Sequence, residues 1–166
     1  MNLEEFYDYK NQFVKDVVTH DPLVKLLDGK CSEEGRRGLI YSQVFPYEYI
    51  PETVEEATTF ICCDVDILDV YDKTFLKPVL YVWVFTHKSK LRLEEGGVRT
   101  DRICCEIAKK INGSMFYGLG ELNLKSIRRF SPITDYQGKM MTFEARDFNR
   151  LHDYNKDIPS NRKSRK

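Results

Sequence analysis

The chain has 166 residues, with Lys+Arg and Asp+Glu both at 26, so its formal charge is zero. That length suits one domain with a sizeable core and excludes two, and the balance supplies no global field to draw the chain onto nucleic acid or a membrane. No window approaches the ~18 apolar residues of a membrane span, and Met1-Asn2-Leu3-Glu4-Glu5 is too acidic to begin a signal peptide, so a cytosolic site of synthesis is expected.

Leu3, Phe6, Tyr7, Phe13, Val14, Val17 and Val18 predict a helix with one apolar face that runs to about Thr19. Asp21-Pro22 restarts a second short helix, with Asp as N-cap and Pro at the first position, which Gly29 ends. The polar run KCSEEGRR (30–37) reads as a loop. GLIYSQVFPYEY (38–49) reads as an extended edge element, kept from the sheet centre by Pro46. Its four aromatics, Tyr41, Phe45, Tyr47 and Tyr49, either cover the domain's own core or anchor a protein contact, the role aromatics fill at interfaces.

TTFICCDVDILDV (58–70) alternates with period 2 and predicts a strand, with Ile61, Cys63, Val65 and Ile67 on one face and Phe60, Cys62, Asp64 and Asp66 on the other. Asp64, Asp66 and Asp69 invite a metal reading, but a hard cation needs further convergent oxygen ligands, and a solvated acidic face is the plainer alternative. VLYVWVFTH (79–87) is apolar on both faces, the pattern of a central strand. KSKLRLEEGGVR (88–99) is a charged loop given slack by Gly96-Gly97, either a linker or an arm that orders on assembly.

A helix follows, with Thr100 as N-cap, Asp101 at its positive end and Asn112-Gly113 as its stop. Ile103, Cys104, Ile107, Ala108 and Ile111 form one stripe at a period of 3.6, with Arg102, Glu106, Lys109 and Lys110 opposite. Residues 122–130 and 140–148 read as a hairpin with a longer loop. Lys125, Arg128 and Arg129 give it a basic cluster, opposite in sign to the Asp64 and Asp66 face, and surfaces of opposite sign on one chain suit a head-to-tail ring. The segment from 151 onward is a basic tail, with Arg162, Lys163, Arg165 and Lys166 either solvated or reaching for phosphate.

Cys62-Cys63 and Cys104-Cys105 are adjacent pairs without the C-x-x-C spacing of a zinc or redox site. Strand neighbours point to opposite faces and helix neighbours diverge by about 100°, so these thiols read as small buried hydrophobes. His20, His87 and His152 are dispersed, and no G-x-S-x-G, P-loop or dinucleotide fingerprint occurs. No catalytic, cofactor or metal residues are therefore assigned. The expected fold is a single α+β domain over residues 1–150, opening with a helical pair in 1–29. Its sheet is mainly antiparallel, with four to five strands and helices on one face.

The order of these elements, IYSQVFPYEYIPETVEE, VLYVWVFTHKS, RTDRICCEIAKKING, ELNLKSIRRF and KMMTFEARDF, resembles the tail terminator and head-tail joining proteins of long-tailed bacteriophages and prophages. The resemblance implies a virion protein of the neck, assembled in the host cytoplasm as a hexameric ring that caps the tail tube. Its implied partners are copies of itself, the tail tube protein and the connector or stopper protein, with packaged DNA nearby and neither membrane nor small-molecule substrate. On that reading Tyr41, Phe45, Tyr47, Tyr49, Gly96, Gly97, Arg128 and Arg129 meet neighbouring subunits or the tube, and Asp64 and Asp66 face a channel or a partner ring. A stopper or head-completion role in the same neck is the alternative; a nucleic-acid-binding accessory protein or a small metal-dependent nuclease lies further off.

Overall fold

The computed structural model describes residues 5–51, 57–71, 74–117 and 121–151, apart from the side chains of 69–71. Its elements in chain order are α1 (Glu5–Thr19), α2 (Asp21–Leu26), α3 (Glu33–Leu39), β1 (Val44–Phe45), β2 (Thr59–Tyr71), β3 (Phe75–His87), α4 (Arg99–Ile111), β4 (Asn123–Phe130), β5 (Tyr136–Glu144) and β6 (Asp147–Phe148), with a 3₁₀ turn at Lys88–Lys90. The sheet runs β1-β2-β3-β5-β4, and β6 pairs with the start of β3. Every pairing is antiparallel except β1 with β2. This is the α+β class expected. The strand number exceeds the expected four to five because the single strand expected over 140–148 is divided: β5 begins earlier, at Tyr136, and ends at Glu144, and Asp147–Phe148 turn onto the start of β3 as β6.

The central strand is where composition puts it. β3 has β2 on one side and β5 on the other, in register Cys63↔Val82↔Met141. Alternation then builds two cores. Ile61, Cys63, Val65, Leu80, Val82, Val84, Met141 and Phe143 face the helices, while Phe60, Cys62, Trp83, Phe85 and Tyr136 form a smaller aromatic cluster on the other face. Cys62 and Cys63 thus point into different cores, as strand geometry requires. Trp83 is only 9 % exposed within the single chain, so its burial needs no second copy.

β5 approaches β3 closely enough that a side chain at Gly138 is excluded: its Cβ would lie 1.9 Å from the Val84 carbonyl oxygen and 2.6 Å from the Phe85 Cα. The chain's end is fastened differently. Phe148 stacks on Phe75 with centroids 5.3 Å apart, and the Arg146 guanidinium lies 4.1 Å above the Phe75 ring.

α1 lies over β2 and α4 over β3 and β5. On α4, Ile103, Cys104, Ile107 and Ile111 are all buried, each large side chain contributing roughly 1.5–3 kcal/mol by leaving water. Gly113 closes the helix at φ 81°, the left-handed conformation read from Asn112-Gly113.

Four sequence expectations change. The 30–37 stretch is not all loop: Ser32 accepts a hydrogen bond from the Gly35 N–H at 3.2 Å and starts α3, whose acidic first turn and basic last turn suit the helix dipole. Gly35 and Gly38 disguised it. Residues 38–49 contribute only Val44–Phe45 to the sheet, because the chain turns at Tyr41 with φ 60° and Pro46 prevents continuation. Neither Asp21 nor Thr100 is an N-cap: those positions fall to His20 and Val98, with Asp21 and Thr100 inside the first turns. Glu106 does not sit on the solvated face of α4; it is 6 % exposed.

Candidate functional site

The aromatic segment divides into two parts. Phe45 is buried, stacks on Tyr49 at 4.2 Å with rings 8° from parallel, and touches Phe60, so this pair covers the domain's own core. Tyr41 and Tyr47 stand outside at 63 % and 45 % exposure, with centroids 6.5 Å apart. Tyr41 holds a left-handed backbone, fixed by its N–H to the Val44 carbonyl at 2.9 Å. A bulky side chain in that region costs about 1–2 kcal/mol, and this one stays mostly exposed in return. Tyr41 and Tyr47 therefore form an exposed aromatic ledge beside β1.

The 88–99 loop is built, not slack. The Leu93 N–H donates to the Gly97 carbonyl at 3.1 Å, the Gly96 N–H to Leu93 at 3.0 Å and the Arg99 N–H to Leu91 at 2.8 Å. Gly96 and Gly97 adopt φ 93° and 91° with open space where a Cβ would sit, so backbone conformation alone requires glycine. Arg99 fastens the loop to α2, donating to the Lys90 and Leu26 carbonyls and pairing with Asp28 at 3.0 Å, which Lys90 also meets at 2.8 Å. Burial disfavours charge on Asp28, but the hydrogen bonds from Lys90 and Arg99 outweigh it and hold the carboxyl below its usual range.

Gly97 and Arg129 are brought together. A cleft of about 610 Å³ opens between the loop, the start of α4 and the β4–β5 pair, lined by Arg92, Gly97, Thr100, Asp101, Arg129 and Lys139 among others. Arg128 is not part of it. Adjacent strand residues face opposite ways, and Arg128 pairs with Met140 while Arg129 pairs with Lys139.

Asp64 and Asp66 are not equivalent either. Asp64 receives Lys10 of α1 at 2.5 Å and accepts the Val65 N–H at 2.8 Å, so it is satisfied within the chain. Asp66 is exposed, with no ion pair among the described residues. The acidic strand β2 and the basic strand β4 lie toward opposite margins of the sheet, separated by β3 and β5, and only the two residues of β1 lie outside β2. Arg162, Lys163, Arg165 and Lys166 lie outside the described residues.

A polar junction escaped the sequence reading. Glu106 on α4 meets His20 at 3.4 Å, Lys109 at 2.9 Å and Arg102 at 3.6 Å. Its position three residues after Ile103, at the border of the apolar stripe, is the one signal that marked it. The Lys109 hydrogen bond, against the opposing effect of burial and with His20 and Arg102 adding to it, lowers the Glu106 pKa. Tyr117 and Tyr9 donate to Asp16 and Asp147, each at 2.9 Å, and burial first, then these carboxylates, push both phenols up. Among the described residues no group of three His, Cys, Asp or Glu side chains is placed to hold a metal, and no described helix is long and apolar enough to cross a membrane.

Fold and surface together define a small α+β domain with helices on one sheet face, margins of opposite charge, an exposed aromatic ledge and a cationic cleft. The chain belongs to the YomW family, a phage-derived family whose model matches residues 10–145. No curated protein matches it.

Proposed function

We propose that this protein is a structural component of the phage neck, a tail terminator whose copies form a ring that caps the tail tube and joins it to the head-tail connector. The observation that carries the reading is the placement of Asp66 and of Lys125, Arg128 and Arg129 toward opposite margins of one sheet, none of them ion-paired among the described residues. A ring requires two different, complementary surfaces on each subunit. Strand direction is compatible with this: β2, β3, β5 and β4 alternate, so a neighbour's β2 margin set beside β4 continues the antiparallel sense.

The ledge of Tyr41 and Tyr47 supplies the exposed aromatic anchors that such contacts use. A stopper or head-completion role in the same neck is the second reading, favoured by the three helices α1 to α3 that precede the sheet. Co-expression with the tail tube protein of the same phage, followed by electron microscopy of the purified particles, separates the two. A terminator appears as a ring at the end of the tube; a stopper leaves tube ends bare.

A further inference from the structure

We propose that the cleft between the 91–98 loop, the start of α4 and strands β4 and β5 is an oxyanion site that takes a phosphate group. Four features converge there. Arg92 and Arg129 line the cleft and make no ion pair among the described residues, and guanidinium groups suit phosphate because they donate in pairs in a plane. Lys139 adds a third cation, held loosely by Asp101 at 3.7 Å.

The start of α4 opens into the same space. Its N-cap, Val98, carries no capping side chain. The Arg99 N–H is taken by Leu91, while those of Thr100 and Asp101 have no hydrogen-bond partner among the described residues. Free N–H groups at a helix start, at the positive end of its dipole, bind anions. Independently of the helix end, Thr100 is 2 % exposed, lines the cleft, and its hydroxyl has no hydrogen-bond partner among the described residues. The hydroxyl keeps contact with the cleft, where it is free to donate to a bound anion. Gly97, at φ 91°, presents backbone without a side chain at the rim. One group opposes the site: the Asp101 carboxylate lies at the mouth and competes with an entering anion for Lys139.

Arg129 is shared with the margin proposed to close the ring, but a monomer would carry the site too, so its failure is distinguishable from a failure of ring assembly. The test is two-dimensional amide NMR of the full chain in phosphate-free buffer at constant ionic strength. Orthophosphate is titrated in one arm and a short duplex oligonucleotide in the other, which distinguishes a free phosphate from one on a nucleic acid. Expected are saturable shifts at the Gly97, Thr100 and Asp101 amides with at least one probe. Replacing both Arg92→Ala and Arg129→Ala should weaken binding by about tenfold or more, Thr100→Val should weaken it several-fold, and Asp101→Asn should tighten it. The Asp101→Asn result is not open to the objection of misfolding. Absence of saturable shifts at these amides with both probes, or affinities unchanged in the double arginine variant and in Asp101→Asn, would overturn the site.

Discussion

The Glu106 carboxylate lies 3.4 Å from the His20 ring, joining α4 to the turn between α1 and α2 at a site that is nearly closed to solvent on the Glu106 side. Since the Lys109 hydrogen bond, helped by the His20 hydrogen bond and the Arg102 charge, outweighs burial and lowers the Glu106 pKa in the folded protein, its charged form is the one folding favours. The stability it contributes is fully present above the unfolded carboxylate range, near pH 4.3, and is lost as pH falls through the lower folded value. Melting temperature followed from about pH 6 to pH 3 should therefore drop more steeply in the parent than in Glu106→Gln. At neutral pH that substitution should cost about 1–3 kcal/mol.

The cysteines separate by reactivity. Cys62, Cys63 and Cys104 are buried and Cys31 and Cys105 exposed, and burial pushes the Cys62 and Cys104 thiols up to about 12 and raises Cys63 as well. Thiolate is the reactive form. Iodoacetamide under native conditions should label Cys31 and Cys105, with the remaining three modified only after unfolding, as peptide mass spectrometry would show.

Gly138→Ala should be among the most damaging single substitutions, because the new methyl meets backbone that neither strand can move cheaply. We expect loss of soluble, cooperatively folding protein. Ile107→Ala, which empties a site 1 % exposed beneath α4, should cost about 2–5 kcal/mol yet leave a folded domain, measurable by urea denaturation.

Tyr41 allows fold and assembly to be tested separately. Glycine accepts the φ 60° backbone that tyrosine tolerates poorly, so Tyr41→Gly with Tyr47→Ser should leave stability within about 1 kcal/mol of the parent, given the known cost of the left-handed region. The same pair should weaken self-association or tube binding. Unchanged assembly would remove the ledge from the interface.

Composition and spacing gave β2, β3 and α4 because each has a single dominant period and a buried face: Ile61 to Ile67, Val79 to Phe85, Ile103 to Ile111. What escaped depends on neighbours distant in sequence. Glu106 looks solvated until His20 is brought beside it, and α3 hides behind Gly35 and Gly38 although Ser32 marks its start. The four aromatics of 41–49 share one composition but not one environment, since only the turn at Tyr41 decides that Phe45 and Tyr49 go in while Tyr41 and Tyr47 stay out. Likewise Gly97 and Arg129 acquire a common site through the topology that sets β4 and β5 beside the start of α4.

On the proposed reading, copies of this chain close on one another through surfaces of opposite charge. Mass photometry of the 19.6 kDa chain, alone and with its tail tube protein, tests it most directly. A discrete species of about six copies is expected, dissociating when Arg128 and Arg129 are reversed to Glu and re-forming when Asp66→Lys is added to the reversed chain. A chain that stays monomeric at high concentration with and without tube protein would contradict it.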